Sequence, residues 1–473
     1  MRRPALVAAA AAWISMLGCG ASSPPVWEQP LPDVREGPVL DPARLHRSRL
    51  DNGLEILILE DSRTPRLGLS VTLRRGAASV APGSAGLAAL TADLLERGAG
   101  KRDALALAQA VDALGASLST GADWDSMGVS VSGLSRDLEP LLAILADVVL
   151  RPRFEAAEAA RARSELLAAI ERAKDDPRSV ASRAFGELLY PEHRYGTPLA
   201  GRAETVSALG VGDARVFHAR VFTPANAIFS AWGDVDPATL RPRVEQAFGG
   251  WSGEPAPESG PAAPHPAPPE RQVVLVDVAD RGQAQILIGH EGISYEDPER
   301  LAALLMNADL GQGGFISRLM TRVRAEEGLT YGVYSYFSLR RRAGPFAIST
   351  STRIPEVRRV IDLILETVEG ARSDPPRGEE FRRIQTLLTG RFALSLETPA
   401  AIAGALVDLD VQGLPADSLD TYRSRVASTR QGQVAEAAQR LLHPARAGIV
   451  VVGPADALRP ALEGLGPIEV LAP

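Results

Sequence analysis

The sequence has a single cysteine among its 473 residues. One thiol, Cys19, excludes an intramolecular disulfide and any zinc site assembled from cysteines, and it argues against a cysteine nucleophile. Histidine is scarce and scattered: the six stand at 46, 193, 218, 265, 290 and 443, with no two inside twenty residues of each other. Lysine is nearly missing. Lys101 and Lys174 leave 51 − 2 = 49 basic residues as arginine, which reads as codon bias in a GC-rich genome. The formal charge is 51 − 58 = −7 with no basic block, so there is no electrostatic footprint for nucleic acid. Beyond the N-terminus no run of 18 apolar residues could span a membrane. What is present, 45% apolar and 23% charged residues, is ordinary for a folded globular chain. The length suggests two to four domains.

The N-terminus gives the lone cysteine a role. Arg2 and Arg3 precede an apolar stretch over 5–17, the length of a signal-peptide core. The stretch ends Met16-Leu17-Gly18-Cys19, similar to a bacterial lipoprotein signal in which cleavage leaves a lipidated cysteine first. The expectation is a signal over 1–19, lipidation at Cys19 and a flexible tether over 20–45, rich in Pro, Ser and Gly at its start. Gly20 is not the aspartate that can retain lipoproteins at the inner membrane, so the expected place is the cell envelope, with the inner face of the outer membrane favoured.

A second break, the proline-dense 253–270, divides the remainder into blocks 46–252 and 271–473 of similar size. Their ends repeat. Asn226 to Asp236 followed by Leu240-Arg241-Pro242 matches Ala447 to Asp456 followed by Leu458-Arg459-Pro460: an apolar strand, a glycine turn, an acidic cap and a closing helix. Strand patterns occur at 54–60, 67–73, 127–131, 272–278 and 284–289. Helical periodicity occurs at 85–95, 102–114, 137–149, 153–175, 298–310, 356–371 and 378–396. The predicted fold class is α+β, two homologous domains, each a mainly antiparallel β-sheet with helices packed on one face.

Motifs along both blocks carry a resemblance. The first has Leu50-Asp-Asn-Gly-Leu, Gly76-Ala-Ala-Ser, Gly86-Leu-Ala-Ala-Leu-Thr-Ala-Asp-Leu-Leu-Glu-Arg-Gly98, Asp175-Asp-Pro177 and Tyr195-Gly-Thr-Pro-Leu-Ala-Gly201. The second has Gly311-Gln-Gly-Gly-Phe-Ile-Ser-Arg318 and Arg324-Ala-Glu-Glu-Gly-Leu-Thr-Tyr331. In order and spacing these resemble the pitrilysin/insulinase family of zinc peptidases, which includes the mitochondrial processing peptidase. The resemblance implies a processing-peptidase-like half-shell.

In active members of that family an H-x-x-E-H helix binds zinc through its two histidines and supplies a glutamate as general base. The aligned residues here are Ala89, Ala92 and Asp93, so both histidines and the base are gone. The distant glutamate ligand would fall near Ala168 or Ala169, flanked by Glu165 and Glu171. One carboxylate does not hold a catalytic zinc, for which three protein ligands are usual. The chain is therefore expected to have no catalytic residues, metal ligands or cofactor of its own.

The resemblance also implies a pairing of half-shells in which one subunit keeps the zinc and the other closes the chamber. It carries an Arg/Tyr pair onto Arg324 and Tyr331, to hold peptide backbone and stabilise the tetrahedral intermediate. The leading expectation is a non-catalytic subunit of a heterodimeric zinc metallopeptidase. Its partners would be a catalytic homologue with an intact H-x-x-E-H and zinc, peptide substrate, and the membrane through the lipid anchor. A peptide-binding or scaffold lipoprotein without an enzymatic role, and a peptidase with an unrecognised metal site, are the alternatives. His290-Glu291 and Glu192-His193 read as surface or packing histidines, Arg318 and Arg322 as surface or interface charges. The run Gly311 to Gly314 lacks the Gly-Lys-Ser/Thr of a phosphate loop.

Overall fold

A computed structural model of the chain describes residues 38–81, 83–254 and 270–473. The expected signal over 1–19 with Cys19, the tether up to residue 37 and linker residues 255–269 lie outside the described residues.

The first half runs β1 (Leu45–Arg49), β2 (Glu55–Glu60), β3 (Arg66–Leu73), α1 (Leu87–Leu95), the short pair β4 (Gly98–Ala99) and β5 (Arg102–Asp103), α2 (Ala104–Ala113), β6 (Ser117–Ala122) and β7 (Met127–Leu134). It continues with α3 (Leu138–Leu150), α4 (Ala156–Ala173), α5 (Pro177–Leu189), α6 (Ala203–Ala208), α7 (Val211–Val221), β8 (Ala227–Gly233) and α8 (Pro237–Phe248). The second half runs β9 (Gln272–Asp277), β10 (Gln283–Glu291), α9 (Arg300–Asn307), β11 (Val333–Phe337), β12 (Pro345–Arg353), α10 (Val357–Ser373), α11 (Gly378–Ser395) and α12 (Pro399–Gln412). It closes with α13 (Ser418–Ser428), α14 (Gln431–Leu441), β13 (Gly448–Gly453), α15 (Ala455–Leu462) and β14 (Ile468–Leu471).

Each half forms a six-stranded sheet, ordered β1-β2-β8-β3-β7-β6 and β14-β9-β13-β10-β12-β11. Read this way, the last five positions correspond one to one, and the repeated strands β8 and β13 lie parallel to β2 and β9, the second strand in each order. Only the added edge differs. In the first sheet it is β1, antiparallel to β2. In the second it is β14, parallel to β9 and drawn from the chain's end. The sheets are thus mixed, with the antiparallel pairings in the majority.

Strand alternation explains why so many strand residues are apolar. Leu67, Leu69, Val71 and Leu73 of β3 point into a core shared with Leu141 and Leu145 of α3 and Phe248 of α8. On β13 the residues Ile449 and Val451 face the second half's own helices, whereas Val450 and Val452 face Val180, Ala184 and Phe185 of α5. The reverse exchange places Val407 and Val411 of α12 against Ile228 of β8. The helices of one half therefore cover one face of its sheet, and the other half lends a helix to the second face, which the expectation of one covered face did not include. Both lent helices begin alike, with Asp176 or Thr398 capping and Pro177 or Pro399 in the first turn. Among the described residues no single helix is long and apolar enough to cross a membrane.

Candidate functional site

Helix α1 starts at Gly86, whose left-handed φ of 94° suits glycine. A Cβ there would sit 2.7 Å from the Ala200 carbonyl oxygen. Its periodicity buries Leu87, Leu90, Leu94 and Leu95 and turns position 93 outward. Thr91 is buried and donates its hydroxyl back to the Leu87 carbonyl at 2.7 Å. Ala89 brings a methyl group where the first ligand would be required, and Ala92 one where the general base would stand.

The remaining polar group of this motif is already engaged. Arg97, one turn beyond Asp93, donates to its carboxylate at 3.0 Å, to Glu165 of α4 at 2.5 Å, and lies 3.6 Å from Glu158. Burial disfavours the charge on Arg97, but the hydrogen bonds to Glu165 and Asp93 outweigh it and hold its pKa above the ordinary arginine value. A permanent cation therefore occupies the centre of the carboxylates nearest the motif. A zinc ion at this place would meet two alanines and a guanidinium, so the residues present do not fit it. No group of three or more His, Cys, Asp or Glu able to hold a metal occurs among the described residues. Glu96 takes up a further function of the region: its carboxylate accepts from the Thr120 backbone N–H at 2.6 Å, filling a donor on the edge strand β6.

The scattered histidines have structural work. His290 is 8% exposed; its Nδ1 meets the Glu291 carbonyl at 2.8 Å and its Nε2 accepts from the His443 N–H at 3.2 Å. Burial pushes it down to about 4, with the Glu291 carbonyl opposing and His443 and Arg446 adding. With both ring nitrogens used, no lone pair remains for a metal. His193 Nδ1 accepts from the Tyr195 N–H at 3.1 Å.

The second-half segment 308–331 is built differently. Residues Ala308–Gln312 and Met320–Glu326 form π-helical turns, which concentrate at functional places. Gly311 permits the first turn to touch β11, since a Cβ there would lie 2.5 Å from Ser335 Oγ. Three anchors fix the segment. Ser335 donates to buried Asn307 at 2.6 Å, Arg391 donates to the Gln312 carbonyl at 2.7 Å, and Arg318 pairs with Asp309 at 2.6 Å. Arg318 is therefore not the surface charge expected from its sequence context: it neutralises a carboxylate only 4% exposed. Arg322 does pair at the surface, with Glu326 at 2.8 Å.

Arg324 lies on the second π turn with its guanidinium 4.4 Å from the Phe315 ring centroid, a cation–π contact. Tyr331 follows, 90% exposed, in a stretch held by Thr330, which donates to the Ser351 carbonyl at 2.8 Å. Phe315 is 73% exposed. Nothing local in the sequence marks this ring as part of an exposed surface. Arg324 and Phe315 together present a charged fork beside an exposed aromatic ring, and the Tyr331 hydroxyl is open to solvent.

Comparison with known proteins follows this division. The model of the insulinase family (peptidase family M16) matches residues 55–203, and that described as the peptidase M16 inactive domain matches residues 209–388. An uncharacterised zinc protease of Streptomyces coelicolor is 26% identical over 415 residues, 87% of this chain and 90% of the relative. Another, of Mycobacterium bovis, is 30% identical over 291 residues, covering 60% of this chain and 65% of the relative. A solved peptidase M16 inactive domain from Pseudomonas fluorescens superposes with a TM-score of 0.81 at 28% identity, over 87% of this chain and 98% of that one. A protease from Helicobacter pylori shares the fold with a TM-score of 0.78 at 17% identity, over 87% and 99%.

Proposed function

This chain belongs to the insulinase (M16) family of peptidases, and we propose that within it the protein is the non-catalytic subunit of a heterodimeric zinc peptidase. The observation that carries this reading is the state of α1: Ala89 and Ala92 offer no ligand or base, and Asp93 is tied to Arg97 at 3.0 Å. A half-shell without its own chemistry can still hold substrate for a catalytic homologue that keeps H-x-x-E-H and its zinc. In this reading Arg324 grips a peptide carbonyl with two donors, and the exposed Tyr331 hydroxyl donates to the oxyanion that develops on the peptide. Phe315 keeps the guanidinium in place and adds apolar surface. Lipid attachment at Cys19, with the protein held at the inner face of the outer membrane, is part of the same proposal. Loss of membrane association on Cys19→Ala tests that part separately.

Coexpression with a homologue bearing H-x-x-E-H, followed by a peptide-hydrolysis assay, tests the whole. Hydrolysis is expected only when both chains are present, and Tyr331→Phe or Arg324→Ala is expected to lower kcat by about 10²–10³, the effect of removing one oxyanion donor. Unchanged kcat in both variants removes their assigned role. Failure to associate with any such homologue favours a peptide-binding lipoprotein acting alone.

A further inference from the structure

A cavity of about 690 Å³ lies where the two halves meet, a volume typical of small-ligand sites. Arg74, Arg75, Arg194 and Arg220 reach it from the first half, Arg341 and Arg342 from the second. Three carboxylates, Asp125, Glu192 and Glu296, share the lining.

Asp125 is occupied, accepting from the Tyr195 hydroxyl at 2.9 Å and from the Arg341 backbone N–H at 3.0 Å. Arg74 is paired with Glu55, and Arg220 donates to the Ser79 carbonyl at 2.8 Å. The guanidinium groups of Arg194 and Arg342 make no hydrogen bond or ion pair with the described residues. Burial pulls the Arg194 pKa down with no carboxylate opposing it. The pKa of His193 falls too, by burial first and then by Arg340, with Arg194 and Arg342 adding to the effect and Asp125 opposing it. Two guanidinium groups, Arg194 of the first half and Arg342 of the second, thus border the cavity and act together on His193.

Guanidinium forks match phosphate oxygens, and converging ones match a ligand with several charges better than a single carboxylate. The aromatic side chains of the lining offer no free platform. Arg340 lies 3.7 Å from the Trp124 ring centroid and 4.5 Å from that of Tyr195, so a guanidinium already covers one face of each ring. We propose that this cavity binds a small polyphosphate anion lacking a base, bridged between Arg194 of the first half and Arg342 of the second. Bound there, the anion offsets repulsion across the junction and ties the halves together. This site is separate from the peptide-holding surface and does not depend on it.

Calorimetric titration of the full chain with pyrophosphate and with tripolyphosphate, at constant ionic strength, tests the proposal. One saturable site per chain is expected, with a rise in Tm that grows with ligand concentration. The Arg194→Ala/Arg342→Ala double variant is expected to bind at least tenfold more weakly, and Arg194→Lys to fall between. Arg136→Ala, outside the cavity and 79% exposed, is expected to bind as the native chain does. Because only the backbone of Arg194 and Arg342 is hydrogen-bonded, to Thr197 and Tyr195, the side-chain variants are expected to retain the fold, which circular dichroism checks. Three results would each overturn the assignment: no saturable binding, an equal loss in Arg136→Ala, or a glutamate-rich peptide outcompeting tripolyphosphate. ATP binding at least tenfold tighter than tripolyphosphate would overturn the exclusion of a base.

Discussion

Replacing Asp309 with asparagine isolates the ion pair under the π turns. The Asp309 side chain is 4% exposed and meets Arg318 at 2.6 Å. Burial dominates its titration and pushes it up to about 6, while Arg318 opposes and Glu380 adds to the rise. Because the folded value exceeds the unfolded 3.8, this carboxyl's contribution to stability is fully present below pH 3.8 and is lost as pH rises through about 6. The gap between 3.8 and about 6 corresponds to about 3 kcal/mol. Asparagine cannot ionise, so the stability of Asp309→Asn relative to the native chain is expected to rise by about 3 kcal/mol across this window. Urea denaturation of both proteins at several pH values measures the difference, and the comparison cancels carboxylates such as Asp61, whose hydrogen bond from Arg63 holds its pKa far below the usual range. A difference that stays flat with pH would refute the reasoning, since it would mean that water reaches the carboxylate. The complementary change, Arg318→Met, strands a buried charge and is expected to cost about 3–5 kcal/mol at neutral pH, and less in acid.

Gly311→Ala brings a Cβ to 2.5 Å from Ser335 Oγ, and overpacking of this kind is expected to cost about 1–3 kcal/mol by thermal denaturation. Tyr331→Phe is expected to change stability by less than about 0.5 kcal/mol while lowering the kcat of the paired enzyme, because the side chain is 90% exposed. Asp125→Ala removes the acceptor shared by the Tyr195 hydroxyl and the Arg341 N–H, so a loss of about 1–3 kcal/mol and a weaker junction between the halves are expected, readable by limited proteolysis.

Much of the fold was legible because its signals are periodic and local. The alternation of Leu67, Leu69, Val71 and Leu73 and the helical spacing over 356–371 mark elements that the structure contains within a few residues. The strand-turn-helix repeat at 226–242 and 447–460 pointed to duplication, and the matched strand orders agree. The exchange of α5 and α12 between halves was not legible. Their caps and first-turn prolines announce helices but say nothing about which sheet they cover. The meeting of His290 with His443, 153 positions apart, was equally hidden, because only the β10–β13 pairing brings them together. At the degenerate motif, alanines at 89 and 92 showed what was missing. That Arg97 holds Asp93 and Glu165 together required α1 and α4 to be packed side by side.

Elemental analysis of the purified chain, with peptide hydrolysis assayed on the same sample, tests the central claim most directly. With Ala89 and Ala92 in the motif and Asp93 bound to Arg97, the expected result is no stoichiometric zinc and no hydrolysis by the chain alone. One zinc per chain that survives dialysis, together with hydrolysis abolished by a chelator, would contradict the account.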